Sequence, residues 1–210
     1  THYRATLARN PANWLAHGNL GAILRRDDPQ QALAHLTEAV RLKPDLVEGH
    51  YNLATVLQQV GRLDEAAAQY REVIRLAPTH ARAYCNLGNT MQQLGLLAEA
   101  ERAYGESIRL SPRLALAHSG MCRLLLASGR LGEARASCET AVALDPGLPP
   151  AHRDLADVLL EEGRIDEAIR EYTLALRLNP DEADAHAHIA AAFQQAGRFD
   201  EAIGHFREAA

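Results

Sequence analysis

Residues 47–80 read VEGHYNLATVLQQVGRLDEAAAQYREVIRLAPTH, and this segment contains the pattern from which the fold can be predicted. Its first half predicts an amphipathic helix, because one set of side chains recurs at spacings i, i+3, i+4 and i+7. These side chains are His50, Leu53, Ala54 and Leu57. Gly61 then permits a left-handed turn that ends the helix, and Asp64 is the candidate N-cap of a second helix. Pro78 stops that second helix, because proline lacks the N–H that continuation requires.

The same pattern recurs along the chain with a period of 34 residues, shortened by one between the first two prolines. The prolines are Pro11, Pro44, Pro78, Pro112, Pro146 and Pro180. The glycines are Gly61, Gly95, Gly129, Gly163 and Gly197, and the alanines are Ala32, Ala66, Ala100, Ala134, Ala168 and Ala202. Three independent series with one period identify a repeat array. The first repeat lacks the turn glycine, and there we expect Asp28 to cap a helix whose first residue is Pro29.

The pattern resembles the tetratricopeptide repeat. One full instance in this chain is Tyr84, Leu87, Gly88, Met91, Gly95, Ala100, Tyr104, Ser107 and Pro112. The resemblance implies an all-α fold, a right-handed α-α superhelix of antiparallel helix pairs whose first helices line a concave groove. It predicts one array over residues 1–210. Its parts are the end of a preceding repeat (1–13), full repeats (14–46, 47–80, 81–114, 115–148 and 149–182) and an incomplete last repeat (183–210).

Composition and motifs exclude several classes of function. The formal net charge is −5, which argues against a nucleic-acid partner. No run of the sequence approaches about 18 consecutive apolar residues, so direct membrane insertion is not expected. The sequence contains no HExxH, GxSxG, GxGxxG or Walker lysine motif. We therefore predict no enzymatic activity, no catalytic site, no cofactor and no metal site.

Two residue types need separate interpretation. Cys122 and Cys138 are expected to be buried thiols, because three cysteines without a CxxC pair make a poor disulfide framework. Histidines occupy one position of five repeats, about 10 Å apart, which is too far to share a metal ion. They are His17, His50, His118, His152 and His186. Packing is the expected role of this row, and its protonation is expected to loosen the stack near pH ~6.

The first helix of each repeat carries the candidate binding residues on the face opposite the core. Asn19, Asn52 and Asn86 hold one position in three successive repeats. A carboxamide both donates and accepts hydrogen bonds, so it matches a peptide group without reading its side chain. Because packed helices lie roughly 10 Å apart and an extended peptide rises about 3.3 Å per residue, each Asn would meet about every third residue of a ligand. The alternative is that the three amides are solvated surface.

This row resembles the asparagine ladder of the O-linked N-acetylglucosamine transferases, whose groove holds extended protein substrates. Charged residues in the second half of the array are expected to add charge selectivity. The complete set of candidate peptide-binding residues is Asn19, Asn52, Asn86, Asn89, Thr55, Tyr51, Arg123, Arg153, Asp154 and Asp157. A carboxylate clamp for chaperone tails is rejected, because Gly18 stands where that clamp has its first lysine.

The sequence favours a non-catalytic scaffold that binds a protein or an extended peptide in the groove. One alternative is a substrate-presenting or spacer arm of a larger enzyme, for example a glycosyltransferase. Another is end-to-end self-association through apolar residues of the last repeat, including Phe199 and Phe206. The cytoplasm is the favoured compartment. The periplasm is the alternative, because residues 3–17 resemble repeats appended to bacterial membrane proteins.

Overall fold

The computed structural model describes residues 2–181 and 183–209. Within these ranges the chain forms 13 α-helices and no strand. The helices are α1 (His2–Arg9), α2 (Trp14–Leu24), α3 (Pro29–Leu42), α4 (Val47–Gln59), α5 (Leu63–Leu76), α6 (Ala81–Gln93), α7 (Leu97–Leu110), α8 (Ala115–Ala127), α9 (Leu131–Leu144), α10 (Pro149–Glu161), α11 (Ile165–Leu178), α12 (Ala183–Gln195) and α13 (Phe199–Glu208). The predicted all-α fold class of paired helices is confirmed.

The chain divides into two compact units, residues 1–110 and 111–210. In unit 1, α2 packs on α3, α4 on α5 and α6 on α7, and each of these hairpins contacts the next through α3–α4 and α5–α6. In unit 2 the hairpins are α8–α9, α10–α11 and α12–α13, joined through α9–α10 and α11–α12. Each unit is therefore a stack of helix hairpins, in which a neighbour covers the apolar face that one hairpin leaves open.

Small residues on one helix make room for large ones on the next. The alanine series at the starts of the second helices is buried along the whole array, from Ala32 to Ala202. Tyr70, Tyr104 and Tyr172 are the largest fully buried side chains among the described residues. Gly88 shows how tight this packing is, because a Cβ atom there would lie 2.8 Å from the ring of Tyr104. Alanine at Gly88 is therefore incompatible with the present position of that ring.

The turns between paired helices follow the predicted chemistry. Gly61 has a φ of +77°, in the left-handed region that favours glycine. Equivalent glycines end four further first helices with the same conformation: Gly95, Gly129, Gly163 and Gly197. In the first repeat Asp28 caps α3, and its Oδ1 accepts a hydrogen bond of 2.9 Å from the Gln31 N–H. The predicted N-cap at Asp64 is wrong. Helix α5 begins at Leu63 with Arg62 as its N-cap, so Asp64 lies in the first turn.

The prediction for two of the cysteines is also wrong. Cys122 on α8 and Cys138 on α9 form a disulfide, with their Cα atoms 5.4 Å apart. Both side chains are fully buried where the two helices of one hairpin meet. That separation lies within the range of about 4.4–6.8 Å that a disulfide spans. Cysteines 16 residues apart are thus brought together by the hairpin and not by local spacing.

Among the described helices, none has the length and apolar character needed to cross a bilayer. Nor does the described part of the chain bring three or more potential metal-ligating side chains together.

Candidate functional site

In unit 1, the first helices α2 and α4 lie side by side and enclose a cavity of about 260 Å³. Its lining residues are Trp14, Leu15, Gly18, Asn19, Ala22, Leu46, Glu48, Gly49 and Asn52. The Nζ atom of Lys43 lies 4.3 Å from the centre of the Trp14 ring, a cation–π contact that holds the indole at this wall. The cavity combines apolar walls with two carboxamides and the carboxylate of Glu48, a mixture typical of ligand sites.

The three asparagines of the predicted row differ in their hydrogen bonds. The Asn19 and Asn52 side chains are half-buried, and neither makes a hydrogen bond to any residue that the structure describes. Asn86 is already engaged, because its Nδ2 donates to the Tyr51 hydroxyl at 3.0 Å. Asn89 likewise accepts a hydrogen bond of 2.7 Å from the Tyr104 hydroxyl. Two members of the row are therefore open to a ligand, and the third is tied to a neighbouring helix.

Two further residues predicted for this face support the helices themselves. The Thr55 hydroxyl donates to the backbone carbonyl of Tyr51 at 2.9 Å. The Tyr51 ring packs edge-on against Tyr70 and also contacts His80. Burial raises the pKa of Tyr51, and it raises the pKa of Tyr70 to about 12. Both phenols are therefore neutral hydrogen-bonding groups at physiological pH.

On α10 of unit 2, the position of the asparagine row is occupied by a buried acid. Asp154 on α10 is 0% exposed, and the Ser119 hydroxyl donates to its Oδ2 at 2.5 Å. Arg153 Nη2 lies 3.3 Å from Asp154 Oδ1, and Arg123 Nε lies 4.0 Å from Asp154 Oδ2. Burial raises the pKa of Asp154, although these partners oppose the shift. Asp154 thus lies inside the unit, where its carboxylate joins α8 to α10.

Asp157, one turn further along α10, is at the surface of the unit. Its Oδ1 accepts a hydrogen bond of 2.5 Å from the Tyr172 hydroxyl and lies 2.9 Å from Nδ1 of His188. These residues border a cavity of about 560 Å³. Its lining residues are Leu126, Gly129, Leu131, Asp157, Leu160, Glu161, Tyr172, His188 and Ala191. Sequence reasoning proposed Asp157 but missed Glu161 and His188; the position of Glu161, four residues after Asp157 on one helix, was a signal that could have found it.

The histidine row fastens loops to helices. The Nε2 atoms of its five members lie 2.9–3.0 Å from the carbonyl oxygen of the proline six residues earlier. A carbonyl only accepts, so each Nε2 carries the donated proton. The Nδ1 atom faces the second helix of the hairpin at four positions, for example His17 towards His35 and His152 towards Glu171. Each ring therefore joins an inter-repeat loop to a hairpin.

No protein of curated function matches this sequence. Solved structures similar to this chain include one chain of the Cut9–Hcn1 hetero-tetramer of the APC/C, with 18% identity and a TM-score of 0.90 over 99% of this chain. The match covers 41% of the Cut9–Hcn1 chain, so the present chain spans less than half of the length of that relative. TTC0263, a thermophilic tetratricopeptide-repeat protein of Thermus thermophilus, has 24% identity and a TM-score of 0.73 over 86% of this chain and 99% of its own.

YrrB, described as a tetratricopeptide-repeat protein with an unusual peptide-binding site, has 21% identity and a TM-score of 0.57. The match covers 83% of this chain and 90% of that chain. At these identities the three structures show the fold alone. Three tetratricopeptide-repeat family models match the sequence itself, one at residues 45–113, one at 1–47 and 85–149, and one at 125–187 and 159–209. The chain therefore belongs to the tetratricopeptide-repeat family.

Proposed function

We propose that this chain is a non-catalytic interaction scaffold and that unit 1 binds an extended polypeptide segment across α2 and α4. One observation carries the proposal. The Asn19 and Asn52 amides lie in one cavity and make no hydrogen bond to the described residues around them. Each amide has a donor and an acceptor to offer. A peptide backbone presents an acceptor and a donor in every residue and so satisfies both.

The spacing of the two amides fits an extended chain. They occupy equivalent positions on neighbouring first helices, and packed helices lie roughly 10 Å apart. An extended peptide advances about 3.3 Å per residue, so the two amides would address peptide groups about three residues apart. Recognition of this kind fixes the direction and register of the ligand and leaves its side chains to be read by other groups.

Apolar walls supply the second contribution to binding. Trp14, Leu15 and Leu46 line the same cavity, and Leu15 is 53% exposed. An apolar ligand side chain placed between the two amide contacts would bury part of this surface, at about 25 cal/mol per Å² of area removed from water. The described peptide-binding site of YrrB, on the same fold, supports a peptide ligand for this chain as well.

A library of random peptides tests this proposal. We expect the native chain to enrich a set of peptides and the variant Asn19→Ala/Asn52→Ala to lose that enrichment, with unchanged helicity and melting temperature. Gln30→Ala is the matched control, because it removes an exposed carboxamide from α3, a second helix, and Gln30 is not part of the cavity lining. Equal enrichment by all three proteins would contradict the proposal and leave the asparagines as solvated surface.

A presenting or spacer arm of a larger enzyme would bind its substrate through this same surface. Self-association is a second candidate function with an observation of its own. On α13, Phe199, Ile203 and Phe206 are 62%, 47% and 46% exposed. We expect sedimentation equilibrium to show dimers that Phe199→Ser/Phe206→Ser abolishes. A native protein that stays monomeric at high concentration would count against this candidate.

A further inference from the structure

The cavity of unit 2 has the size and the walls of a side-chain pocket. It measures about 560 Å³, within the range of roughly 300–1,000 Å³ typical of ligand sites. Leu126, Leu131, Leu160 and Ala191 give it apolar walls contributed by four helices. A long aliphatic stem would be covered by such walls while its end group reached the polar residues of the lining.

Two of the four polar residues in the described lining are acidic. Asp157 and Glu161 lie four residues apart on α10, so both side chains extend from the same side of that helix. Glu161 is exposed, and it forms no ion pair or hydrogen bond within the described part of the chain. Like charges at this spacing repel each other. A cation held between the two carboxylates would remove that repulsion.

The basic groups near this cavity are engaged elsewhere. Arg153, on the same helix, donates to the buried Asp154 and does not belong to the lining of the cavity. Among the described residues, the lining contains no lysine or arginine, and its one basic ring, His188, is bonded to Asp157. Even with His188 protonated, the carboxylate of Glu161 leaves the lining with a net negative charge, which is complementary to a cation and opposed to an acidic ligand.

We infer that this cavity accepts an arginine side chain of a polypeptide ligand. The methylene stem lies along the leucine walls, and the guanidinium donates to the carboxylates of Asp157 and Glu161. The planar guanidinium presents five N–H donors in a fixed geometry and bonds well to carboxylates. The inference rests on the proposed function, because it names one side chain of the protein ligand proposed there. Unit 2 would then recognise a side chain of the ligand and so select its sequence. The backbone contacts of unit 1 provide no such selection.

A small probe tests the pocket separately from peptide binding. The full chain is titrated with N-acetyl-L-arginine methylamide, and the His188 and Tyr172 side-chain resonances are followed by NMR. N-acetyl-L-citrulline methylamide is the control ligand, because it has nearly the same shape and no charge. We expect the arginine compound to shift these resonances with saturation, and the citrulline compound to bind at least about tenfold more weakly, since it offers no charge-assisted hydrogen bond.

Glu161→Gln is the test variant, because Glu161 forms no ion pair or hydrogen bond within the described residues. It should weaken binding of the arginine compound about tenfold. Glu139→Gln is the control, since it removes an exposed carboxylate of α9 that is not part of the cavity lining. Equal shifts with both compounds, or no shift with either, would overturn the inference. Loss of peptide enrichment in Asn19→Ala/Asn52→Ala alongside that result would leave the proposed function standing. Binding of the arginine compound by a chain that enriches no peptide would instead overturn the proposed function.

Discussion

The Nδ1 atom of His188 on α12 lies 2.9 Å from Oδ1 of Asp157 on α10. The hydrogen bond to Asp157 raises the pKa of His188, and burial opposes the shift. The other charged groups that face this ring are Arg153 of α10, which lowers the pKa, and Asp184 of α12, which raises it. Tyr172 of α11 packs edge-on against the ring. The fold therefore favours the imidazolium, and with it a contact between two first helices.

The sign of the resulting pH dependence follows from linkage. Because the pKa of His188 is raised by folding, its stabilisation is fully present below the unfolded value of about 6.5 and is lost as pH rises through the folded value. We expect His188→Gln to lower the free energy of unfolding by ~0.5 kcal/mol at acid pH, a small value because the pair is partly exposed. At pH 8.5 the variant should match the native chain. Urea titrations at both pH values measure this, and an equal loss at both would contradict it.

Two histidine pairs act in the opposite direction. His17 and His35 share a contact of 2.9 Å between their Nδ1 atoms, and His186 and His205 share one of 3.0 Å. Only one of the two nitrogens in each pair can carry a proton without placing two N–H groups head to head. Burial, followed by the charge of the partner ring, lowers the pKa of His35 and His205. Arg4 also lowers the pKa of His35, whereas Glu208 and Glu201 raise that of His205.

A lowered histidine pKa removes stability as pH falls below about 6.5. We therefore expect the thermal midpoint of the native chain to fall between pH 7.5 and 5.5. His35→Gln, which keeps a donor for His17, should reduce that fall. A midpoint that does not change over this pH range in either protein would show that these pairs do not link protonation to folding.

The buried acid of unit 2 is partnered by one hydroxyl and two arginines. Ser119 donates to Asp154 at 2.5 Å inside the unit. Ser119→Ala leaves a fully buried carboxylate oxygen without that donor, and we expect it to lower the free energy of unfolding by about 1–3 kcal/mol. Ser128→Ala is the control, because that exposed hydroxyl only donates to the carbonyl of Leu124 in the helix it follows. Chemical denaturation measures the free energy of unfolding of both variants. Equal losses would show that the Ser119 hydroxyl does not stabilise the buried Asp154.

Because a disulfide joins α8 to α9, we expect reduction to lower the stability of the chain. Its partners are 16 residues apart, and closing a loop of that length stabilises a fold by about 3 kcal/mol in the chain-entropy model. We expect dithiothreitol to lower the thermal midpoint of the native chain and to leave Cys122→Ala/Cys138→Ala unaffected. Alkylation of the unreduced, unfolded chain should modify one cysteine. Modification of all three would show that the bond is absent.

The repeat period predicts much of the fold because it is a property of the sequence alone. The turn at Gly61 and the cap at Asp28 follow from local backbone requirements, and both are present. The Cys122–Cys138 bond was not foreseen, because it depends on how two helices of one hairpin face each other. Asp64 failed as a cap because the helix start is set by the preceding turn and not by the nearest acidic residue. The assigned repeat boundaries, such as 14–46 and 47–80, stay a prediction.

The candidate sites were harder to predict from the sequence than the fold. A shared position identifies Asn19, Asn52 and Asn86 as a row, but it does not reveal that Asn86 donates to Tyr51. Nor does position distinguish Asp154, which is enclosed by Ser119 and two arginines, from an exposed acid. Such differences arise from side chains on neighbouring helices, which a one-dimensional pattern does not bring together.

Recognition of the ligand backbone by unit 1 can be measured with modified peptides. A peptide enriched on the native chain is resynthesised with single backbone N-methyl groups, and the dissociation constant of each version is measured by isothermal titration calorimetry. We predict that N-methylation weakens binding at positions about three residues apart, matching the spacing of Asn19 and Asn52. These losses should disappear in the already weakened complex of Asn19→Ala/Asn52→Ala. Affinity that tolerates N-methylation at every position, and depends only on ligand side chains, would show that unit 1 does not recognise the ligand backbone.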